Sequence, residues 1–378
     1  MPENPTIIVE ENSSPQHVLV NVFLRGGADG LHLVPPVGDD GYRKARPTLA
    51  LSEKNTLPLE VIFRLNQNLA PLHKLYETQE LAIIHQAGTP EDSRSHFEAE
   101  DYLQYAGKSG GGWLGRFLHL TKKPNAGPLT AVSIGEHISD CLQGTAAVSM
   151  RSLEEFALPD NTETWQTDLA KLYARSGGSL GRAGQDTLSA MQRIRKLTET
   201  MRAEQKNANR NTAPNEFTDG LELIARLIQA GLGLRAATIH LGGWDSHYGA
   251  AVSLSALIPT LAAGLSTFAS RMAGDLKHVT VVIMSEFGRQ VAENASFGTD
   301  HGRGGVHWVM GGGVKGGKVY ADWENHGMEK ALLTYPSDVP VVHDYRSILG
   351  SLCQHIEPTV DLKRLFPGFE GTPLGIYG

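Results

Sequence analysis

The stretch VTVVIMSEFGR, residues 279–289, decides the fold, because an apolar run stops there abruptly at acidic and basic side chains. Residues 279–284 are dominated by β-branched and apolar side chains, which is typical of a strand buried on both faces of a sheet. Glu286 and Arg289 follow directly, and the Gly-rich segment GTDHGRGG comes next, at residues 298–305. In open α/β sheets, ligands and reactive groups are held at such strand ends.

Two earlier apolar runs end in the same way. The run VLVNVFL, residues 18–24, leads into RGGADG, and the run ATIHL, residues 237–241, leads into GGWDSH. The carboxyl ends of parallel strands meet at one edge of a sheet, so we expect the groups that follow these strands to lie together. The groups expected at that edge are Asp29, Asp245, Glu286 and His301.

Strand-like and helix-like patterns alternate along the rest of the chain. Apolar runs of strand length occur at 81–84, 129–134 and 306–310, and helical patterns at 65–80, 95–106, 254–276 and 345–355. The alternation predicts an α/β fold with a doubly wound, mostly parallel central sheet and helices on both faces.

The domain organisation is expected to be simple. Residues 1–16 are polar and are predicted to form an N-terminal arm, and residues 17–378 a single α/β domain. The stretch at about 140–215 is helical and more polar, and is predicted to be an insertion or cap.

Composition excludes several classes of protein. The chain has 378 residues, of which 40% are hydrophobic and 20% charged, as in ordinary soluble domains. The net charge of -7 argues against a general nucleic-acid binder. The two cysteines, Cys141 and Cys353, show no CxxC spacing, which argues against a thiolate zinc site.

Targeting and membrane signals are not expected either. No apolar run approaches the roughly 18 residues of a membrane span. The first residues lack a basic region followed by an apolar one, so a cytoplasmic protein is expected, or an exported one if a signal was trimmed.

The segment after the 237–241 strand can bind a cation. Asp245 and His247 are two residues apart, so in extended backbone both side chains point to the same side. The alternative is that Asp245 caps the following helix and His247 packs locally. Asp300 and His301 are adjacent, but in a Gly-flanked loop both can turn to one cation. Imidazole is a common zinc ligand, and carboxylates suit harder cations.

Glu286, Arg289 and Asp29 each have two interpretations. A carboxylate at the end of so apolar a strand needs a partner or a metal. Arg289 could be the partner of Glu286, or it could hold an anionic substrate through its bidentate fork. Asp29, in Gly-Ala-Asp-Gly, could be a turn residue or a carboxylate ligand of a second metal.

The segment SRSH, residues 93–96, precedes a helical pattern. A helix N-terminus favours bound anions, and a hydroxyl there could act as a nucleophile. Ser95 is therefore a candidate nucleophile and Arg94 a candidate anion-binding group. The alternative is that the serine only caps the helix. His85 and His96 are expected to contact the ligands rather than the metal.

Six motifs carry a resemblance to a known family. In chain order they are GGADGLHLVPP (26–36), SRSHF (93–97), GGWDSH (242–247), SEFGR (285–289), TDHG (299–302) and DYR (344–346). Together they resemble the bacterial family DUF1501, which is similar to the alkaline phosphatase superfamily with its sulfatases and cofactor-independent phosphoglycerate mutases. The resemblance implies a doubly wound sheet with one or two divalent metals at its C-terminal edge. It also implies transfer of phosphoryl or sulfuryl groups through a Ser, Thr or formylglycine nucleophile.

The resemblance also assigns positions. Asp29 matches the metal carboxylate after the first strand, and Asp245 with His247 matches an Asp–His pair at a shorter spacing. His301 matches a late ligand that leads into a strand, and Ser95 the nucleophile.

The chain departs from the pattern at three points. Glu286 stands where the superfamily has an Asp-His or Asp-Asn pair, and Phe287 replaces the second ligand. The chain has no CxPSR sulfatase motif, and it lacks the twin-arginine signal described for many relatives.

We therefore expect a metal-dependent hydrolase of phosphate or sulfate esters that acts on a small molecule or a glycan. Ser95 or metal-activated water would attack, and Arg94 or Arg289 would hold the nonbridging oxygens. Zinc is the expected metal, with Mg, Ca or Mn as alternatives. The expected ligands are Asp29, Asp245, His247, Glu286, Asp300 and His301. The alternative is a non-catalytic binding module for an anionic glycan or a protein partner, with the acids merely structural.

Overall fold

The computed structural model describes residues 16–107, 110–122, 129–153, 162–208 and 215–378. The strands are β1 Val18–Leu24, β2 Thr56–Pro58, β3 Arg64–Asn66, β4 Leu81–Gly88, β5 Ala131–Ile134, β6 Val148–Met150, β7 Ala236–Leu241, β8 Val279–Met284, β9 Gly305–Gly311, β10 Lys318–Tyr320 and β11 His343–Asp344. The helices are α1 Gly30–Leu33, α2 Asp40–Ala45, α3 Ala70–Glu77, α4 His96–Tyr105, α5 Trp113–Leu120, α6 Thr162–Ser176, α7 Gly178–Ala208, α8 Glu216–Gln229, α9 Ala250–Arg271, α10 Trp323–His326, α11 Met328–Ala331, α12 Tyr345–Ile356 and α13 Leu362–Leu365.

The central sheet has nine strands in the order β10-β4-β9-β8-β1-β7-β5-β6, with β11 also paired to β4. Every neighbouring pair is parallel except those of β9, which runs antiparallel to β4 and β8. The strands β2 and β3 form a separate antiparallel pair.

Both faces of the sheet are covered by apolar side chains. Along β1, Val20 and Val22 enter one buried cluster, which Leu72 of α3, Leu221 of α8 and Leu261 of α9 also join. The alternate residues Leu19 and Phe23 enter the cluster on the other face, which contains side chains of α4, α5 and α12. The predicted doubly wound, mostly parallel α/β fold is confirmed.

The antiparallel strand β9 explains how one edge gathers the predicted groups. Asp29, Asp245 and Glu286 follow the carboxyl ends of β1, β7 and β8, which are parallel. His301 instead precedes β9, and because β9 is antiparallel, its first residue lies at that same edge. The sequence predicts the shared edge, but not this reason for His301.

The predicted helix over 65–80 is the main error in secondary structure. Its first part forms β3 and a 3₁₀ turn, and the helix begins only at Ala70. The Asn66 side chain accepts a hydrogen bond from the backbone of Asn68, which favours a turn there. Pro71 then stands at the start of α3, where its missing N–H costs nothing.

The helix α9 bears on the expectation that the chain has no membrane span. Among the described residues it is the one helix that is long and apolar enough, by length and composition, to cross a membrane. Its side chains Leu254, Ile258, Leu261 and Leu265 are buried in the core cluster that α8 shares. The composition of α9 therefore fits a core helix that covers one face of the sheet.

Two predictions about organisation remain predictions. Residues 1–15 lie outside the described residues, and with them nearly all of the expected polar arm. The expected insertion at about 140–215 contains α6 and α7 in its described part, while residues 154–161 and 209–214 lie outside it.

Candidate metal centre

Two histidine rings at the sheet edge are held by groups that only accept hydrogen bonds. His301 Nδ1 lies 2.7 Å from the carbonyl oxygen of Arg94, and His247 Nδ1 lies 2.9 Å from Asp300 Oδ1. The hydrogen bond from His247 lowers the pKa of Asp300, which keeps this carboxylate ionised. Each ring therefore donates its Nδ1–H, so Nε2 is the ring atom that remains to bind a cation.

His96 is held in the same way. Its Nδ1 lies 2.7 Å from Glu286 Oε1, which also accepts from the backbone N–H of Gly26 at 2.7 Å. Burial raises the pKa of Glu286, but the hydrogen bonds from His96 and the backbone outweigh it and lower that pKa. The free ring atom, His96 Nε2, is buried and has no hydrogen-bond partner within the described residues.

The three Nε2 atoms converge on Asp245. His247 Nε2 and His301 Nε2 are 2.9 Å apart, and they lie 3.1 and 3.2 Å from Asp245 Oδ1. His96 Nε2 lies 3.6 Å from Asp245 Oδ2. Zinc bonds of about 2.0–2.1 Å in a tetrahedral site place ligands about 3.3 Å apart. Within the described chain, His96, Asp245 and His301 form the one group whose ligand atoms all lie within 4.8 Å of one another.

A cation and a proton compete for this site. Two lone pairs that face each other beside a carboxylate repel unless a positive charge lies between them. The hydrogen bond to Glu286 raises the pKa of His96, so without a metal this ring readily takes a proton at Nε2. Metal binding to histidine releases such protons. The residues therefore fit a divalent cation.

Arg289 holds Asp245 in place. Burial raises the pKa of Asp245, but the hydrogen bond and charge of Arg289 outweigh it and lower that pKa to about 2. Arg289 Nη2 donates to Asp245 Oδ1 at 2.6 Å, Nε to the carbonyl of Gly27 at 2.7 Å and Nη1 to the carbonyl of Thr299 at 2.8 Å. The guanidinium is 0% exposed, so it joins the loops around the site and does not face a substrate. The partner of Glu286 is His96 and not Arg289.

Gly26 allows the close approach of two loops. Its φ is +118°, and a Cβ there would lie 2.4 Å from the backbone nitrogen of Asp245. A larger residue would push the Asp245 loop away, and its backbone would be strained as well. The glycines after β1 therefore serve the position of Asp245.

Ser95 and Arg94 lie beside the cluster. Ser95 is exposed, stands at the N-cap position of α4 and makes no capping hydrogen bond with its side chain. Ser93 Oγ accepts from the backbone of Ser95 instead, at 3.3 Å, and donates to Glu98 at 2.7 Å. The Arg94 guanidinium pairs with the carboxylates of Asp92 and Asp338.

Asp29 has other partners. Its Oδ2 accepts from Arg46 Nη1 at 2.7 Å, and its Oδ1 accepts from the backbone of His32 at 3.3 Å. Burial raises the pKa of Asp29, but the charge and hydrogen bond of Arg46 outweigh it and lower that pKa. One oxygen is therefore engaged in a buried ion pair and the other in a backbone hydrogen bond, which the sequence did not reveal.

His85 lies in the core and not against the ligands. Its side chain is buried, and its ring centroid is 5.0 Å from those of Phe63 and Trp323. Burial lowers the pKa of His85 to about 3, so the ring is neutral. The expectation that it would contact the metal ligands is not supported by this packing.

Two residues that contribute to the surroundings of the site lie outside all the sequence motifs. Asn294 Nδ2 donates to Asp300 Oδ1 at 3.1 Å and to the carbonyl of His247 at 3.0 Å. Glu100 forms an ion pair with Arg25. The helical spacing from His96 to Glu100 was a usable signal, because residues four apart share a helix face.

The family model described as "Protein of unknown function (DUF1501)" matches residues 77–376. The chain belongs to the DUF1501 family. The matched range contains all the residues that converge in the cluster, whereas Asp29 precedes it. Curated proteins provide no match to the chain.

Solved structures that are similar to this DUF1501 protein include the following two. One is Ps i-CgsB in complex with k-i-k-neocarrahexaose, at 8% identity and a TM-score of 0.39, with 95% of this chain and 75% of that chain covered. The other is alkaline phosphatase from the Antarctic bacterium TAB5, at 12% identity and a TM-score of 0.32, with 83% of this chain and 97% of that chain covered.

Proposed function

We propose that this DUF1501 protein is a metal-dependent hydrolase of phosphate or sulfate esters. The observation that carries the proposal is that the Nε2 atoms of His96, His247 and His301 each lie within 3.6 Å of a carboxylate oxygen of Asp245, while an acceptor anchors each Nδ1. Histidines that bind metals nearly always donate their other ring N–H in this way. The proposed ligands are Asp245, His96, His247 and His301. Zinc fits a donor set rich in imidazole, whereas Mg, Ca and Mn prefer oxygen.

In this proposal, three residues have roles that differ from those predicted from the sequence. His96 becomes a ligand, whereas Glu286 and Asp300 become the groups that orient ligand rings. Glu286 holds His96 at 2.7 Å and Asp300 holds His247 at 2.9 Å. Asp29 takes no part in binding the metal, because both its oxygens are engaged elsewhere.

The chemistry divides between the cation and the protein. A bound divalent cation supplies Lewis-acid polarisation of an ester oxygen. Arg289 keeps Asp245 ionised and joins three loops, so the ligands need little rearrangement. The exposed hydroxyl of Ser95 directly precedes His96 and has no capping hydrogen bond, so it is the proposed nucleophile.

Metal content and ester turnover test the proposal together. Protein purified from zinc-replete medium is expected to carry bound zinc, measured by elemental analysis, and to hydrolyse an aryl phosphate or an aryl sulfate. A chelator should abolish turnover, and zinc should restore it. Protein without bound metal and without turnover contradicts the proposal. Bound metal without turnover of either ester would support the binding module instead.

The substitution Ser95→Ala tests the nucleophile. We expect kcat to fall by about 10³-fold or more with metal content unchanged, because losing a nucleophile removes most of an enzyme's rate enhancement. Ser93→Ala is the matched control, because Ser93 Oγ already bonds Glu98 and the Ser95 backbone, and it should retain turnover. Full activity of Ser95→Ala would assign the attack to water.

A further inference from the structure

A cavity of about 720 Å³ lies at the same edge of the sheet, beside the candidate metal centre. It is lined by Arg25, which follows β1, by residues 133–140 at the end of β5 and beyond it, and by the first turn of α8. Its size is that of a small-molecule site. No residue of the proposed metal cluster is among the described residues that line it, so the cavity can bind a part of the substrate that does not contact the metal.

Arg25 connects this cavity to the cluster. Its carbonyl accepts from the backbone N–H of Trp244 at 3.1 Å, and Trp244 precedes Asp245. Its side chain lines the cavity and pairs with Glu100, which lies one turn after His96 in α4. Arg25 therefore forms a wall between the cavity and the metal centre. A ligand in the cavity reaches this wall.

The side chains next to Arg25 in the cavity wall, His240 and Ser139, are uncharged and are joined by hydrogen bonds. Arg25 Nε donates to His240 Nδ1 at 2.7 Å, so the His240 proton sits on Nε2, which lies 3.2 Å from Ser139 Oγ. Burial and the charge of Arg25 lower the pKa of His240 to about 4. The imidazole is therefore neutral.

The charged side chains of the cavity disfavour an anion. Its two guanidiniums, Arg25 and Arg151, are paired with carboxylates, the latter with Glu136 at 2.9 Å. Further carboxylates among the described lining residues belong to Asp140, Glu216 and Asp219. Because both guanidiniums are already paired, these three further carboxylates give the cavity a negative charge. A carboxylated or sulfated ligand is therefore repelled.

The N-terminus of α8 does not offset this repulsion. Asn215 Oδ1 accepts from the backbone of Thr218 at 3.0 Å, and Asp219 accepts from the backbone of Asn215 at 3.0 Å. The helix thus caps its own first turn. Its positive end is further compensated by Glu216.

We propose that this cavity binds an uncharged, polyhydroxylated group, a neutral sugar unit, as the alcohol part of the ester. The inference rests on the proposed function, because it names the substrate class of the same site. The carboxylates of the cavity can accept hydrogen bonds from sugar hydroxyls, while Ile138, Phe217 and Ile239 supply apolar contact. A sugar that carries an additional carboxylate or sulfate in this cavity is disfavoured by charge.

Direct binding tests the proposal without catalysis. Saturation-transfer NMR on the full chain, with a chelator present, compares galactose, glucose and mannose with their uronic acids. We expect at least one neutral sugar to bind, and its uronic acid to bind about fivefold more weakly or not at all. Absence of binding by all three neutral sugars, or preference for a uronic acid, overturns the proposal.

Two variants place the binding in the cavity. Ile138→Trp should fill the cavity and abolish the sugar signal, while Leu333→Trp, at an exposed site elsewhere, should not. Glu216→Lys should shift the preference toward the uronic acid, while Glu329→Lys should leave it unchanged. Sugar binding that survives Ile138→Trp overturns the proposal. Because the metal is chelated throughout, failure of metal binding or of ester turnover leaves this result independent.

Discussion

His301→Ala and His96→Ala are each expected to weaken zinc binding by more than about 100-fold. Each substitution removes one Nε2 donor, and even residues that only orient ligands contribute 10–100-fold to metal affinity. Competition with a chromophoric chelator measures the affinity, and elemental analysis measures the content. The same measurement on Glu286→Gln and Asp300→Asn should give the smaller, 10–100-fold loss that is typical of orienting residues.

His326→Ala is the matched control for these variants. Its imidazole is exposed and lies 3.0 Å from the carboxylate of Asp322, which is not part of the cluster, so affinity for zinc should not change. Unaltered affinity in His301→Ala would remove His301 from the ligands. Unaltered affinity in His96→Ala would return His96 to the role that the sequence predicted.

Arg46→Met is expected to destabilise the protein by about 3–5 kcal/mol, because it leaves Asp29 as an unpaired buried charge. The Arg46 side chain is 0% exposed, and it also donates to the carbonyls of Val291 and Gln290, both at 2.8 Å. Urea unfolding at neutral pH measures the loss. The Asp29 pKa is lowered in the fold, so this stabilisation is present above an unfolded-state pKa of about 3.9 and is lost as the pH falls through the folded value.

Two further variants separate the ion pair from metal binding. The double variant Asp29→Asn with Arg46→Met should recover part of the stability, because no unpaired charge remains. Asp29→Asn alone should leave zinc affinity unchanged. Loss of zinc in Asp29→Asn would restore Asp29 as a metal ligand and contradict our assignment.

The order of the helices and strands and the position of the site could be predicted from local patterns in the sequence. The run at 279–284 is bounded in the structure at the residues where its apolar character begins and ends. Strands buried on both faces need continuous apolar side chains, and polar groups can follow only where the strand leaves the sheet. This is why the ends of β7 and β8 identify Asp245 and Glu286 from the sequence.

The roles of these residues were not accessible in the same way. Glu286 and His96 are separated by 190 positions, yet their hydrogen bond of 2.7 Å makes one an anchor and the other a candidate ligand. The Asp29 carboxylate meets Arg46, which belongs to none of the sequence motifs. Such pairings depend on how loops from different strands approach each other, and no local periodicity encodes that approach.

The sequence by itself determined the α/β class, the mostly parallel sheet and the edge at which the acids and imidazoles gather, because burial imposes residue patterns along each strand. Only the tertiary structure decided which carboxylate faces the imidazoles and which nitrogen of each ring is free. It also decided which charged residues are engaged elsewhere. The physical reason is that a hydrogen bond acts over about 3 Å, so a side chain's role is set by the partner that folding brings to it.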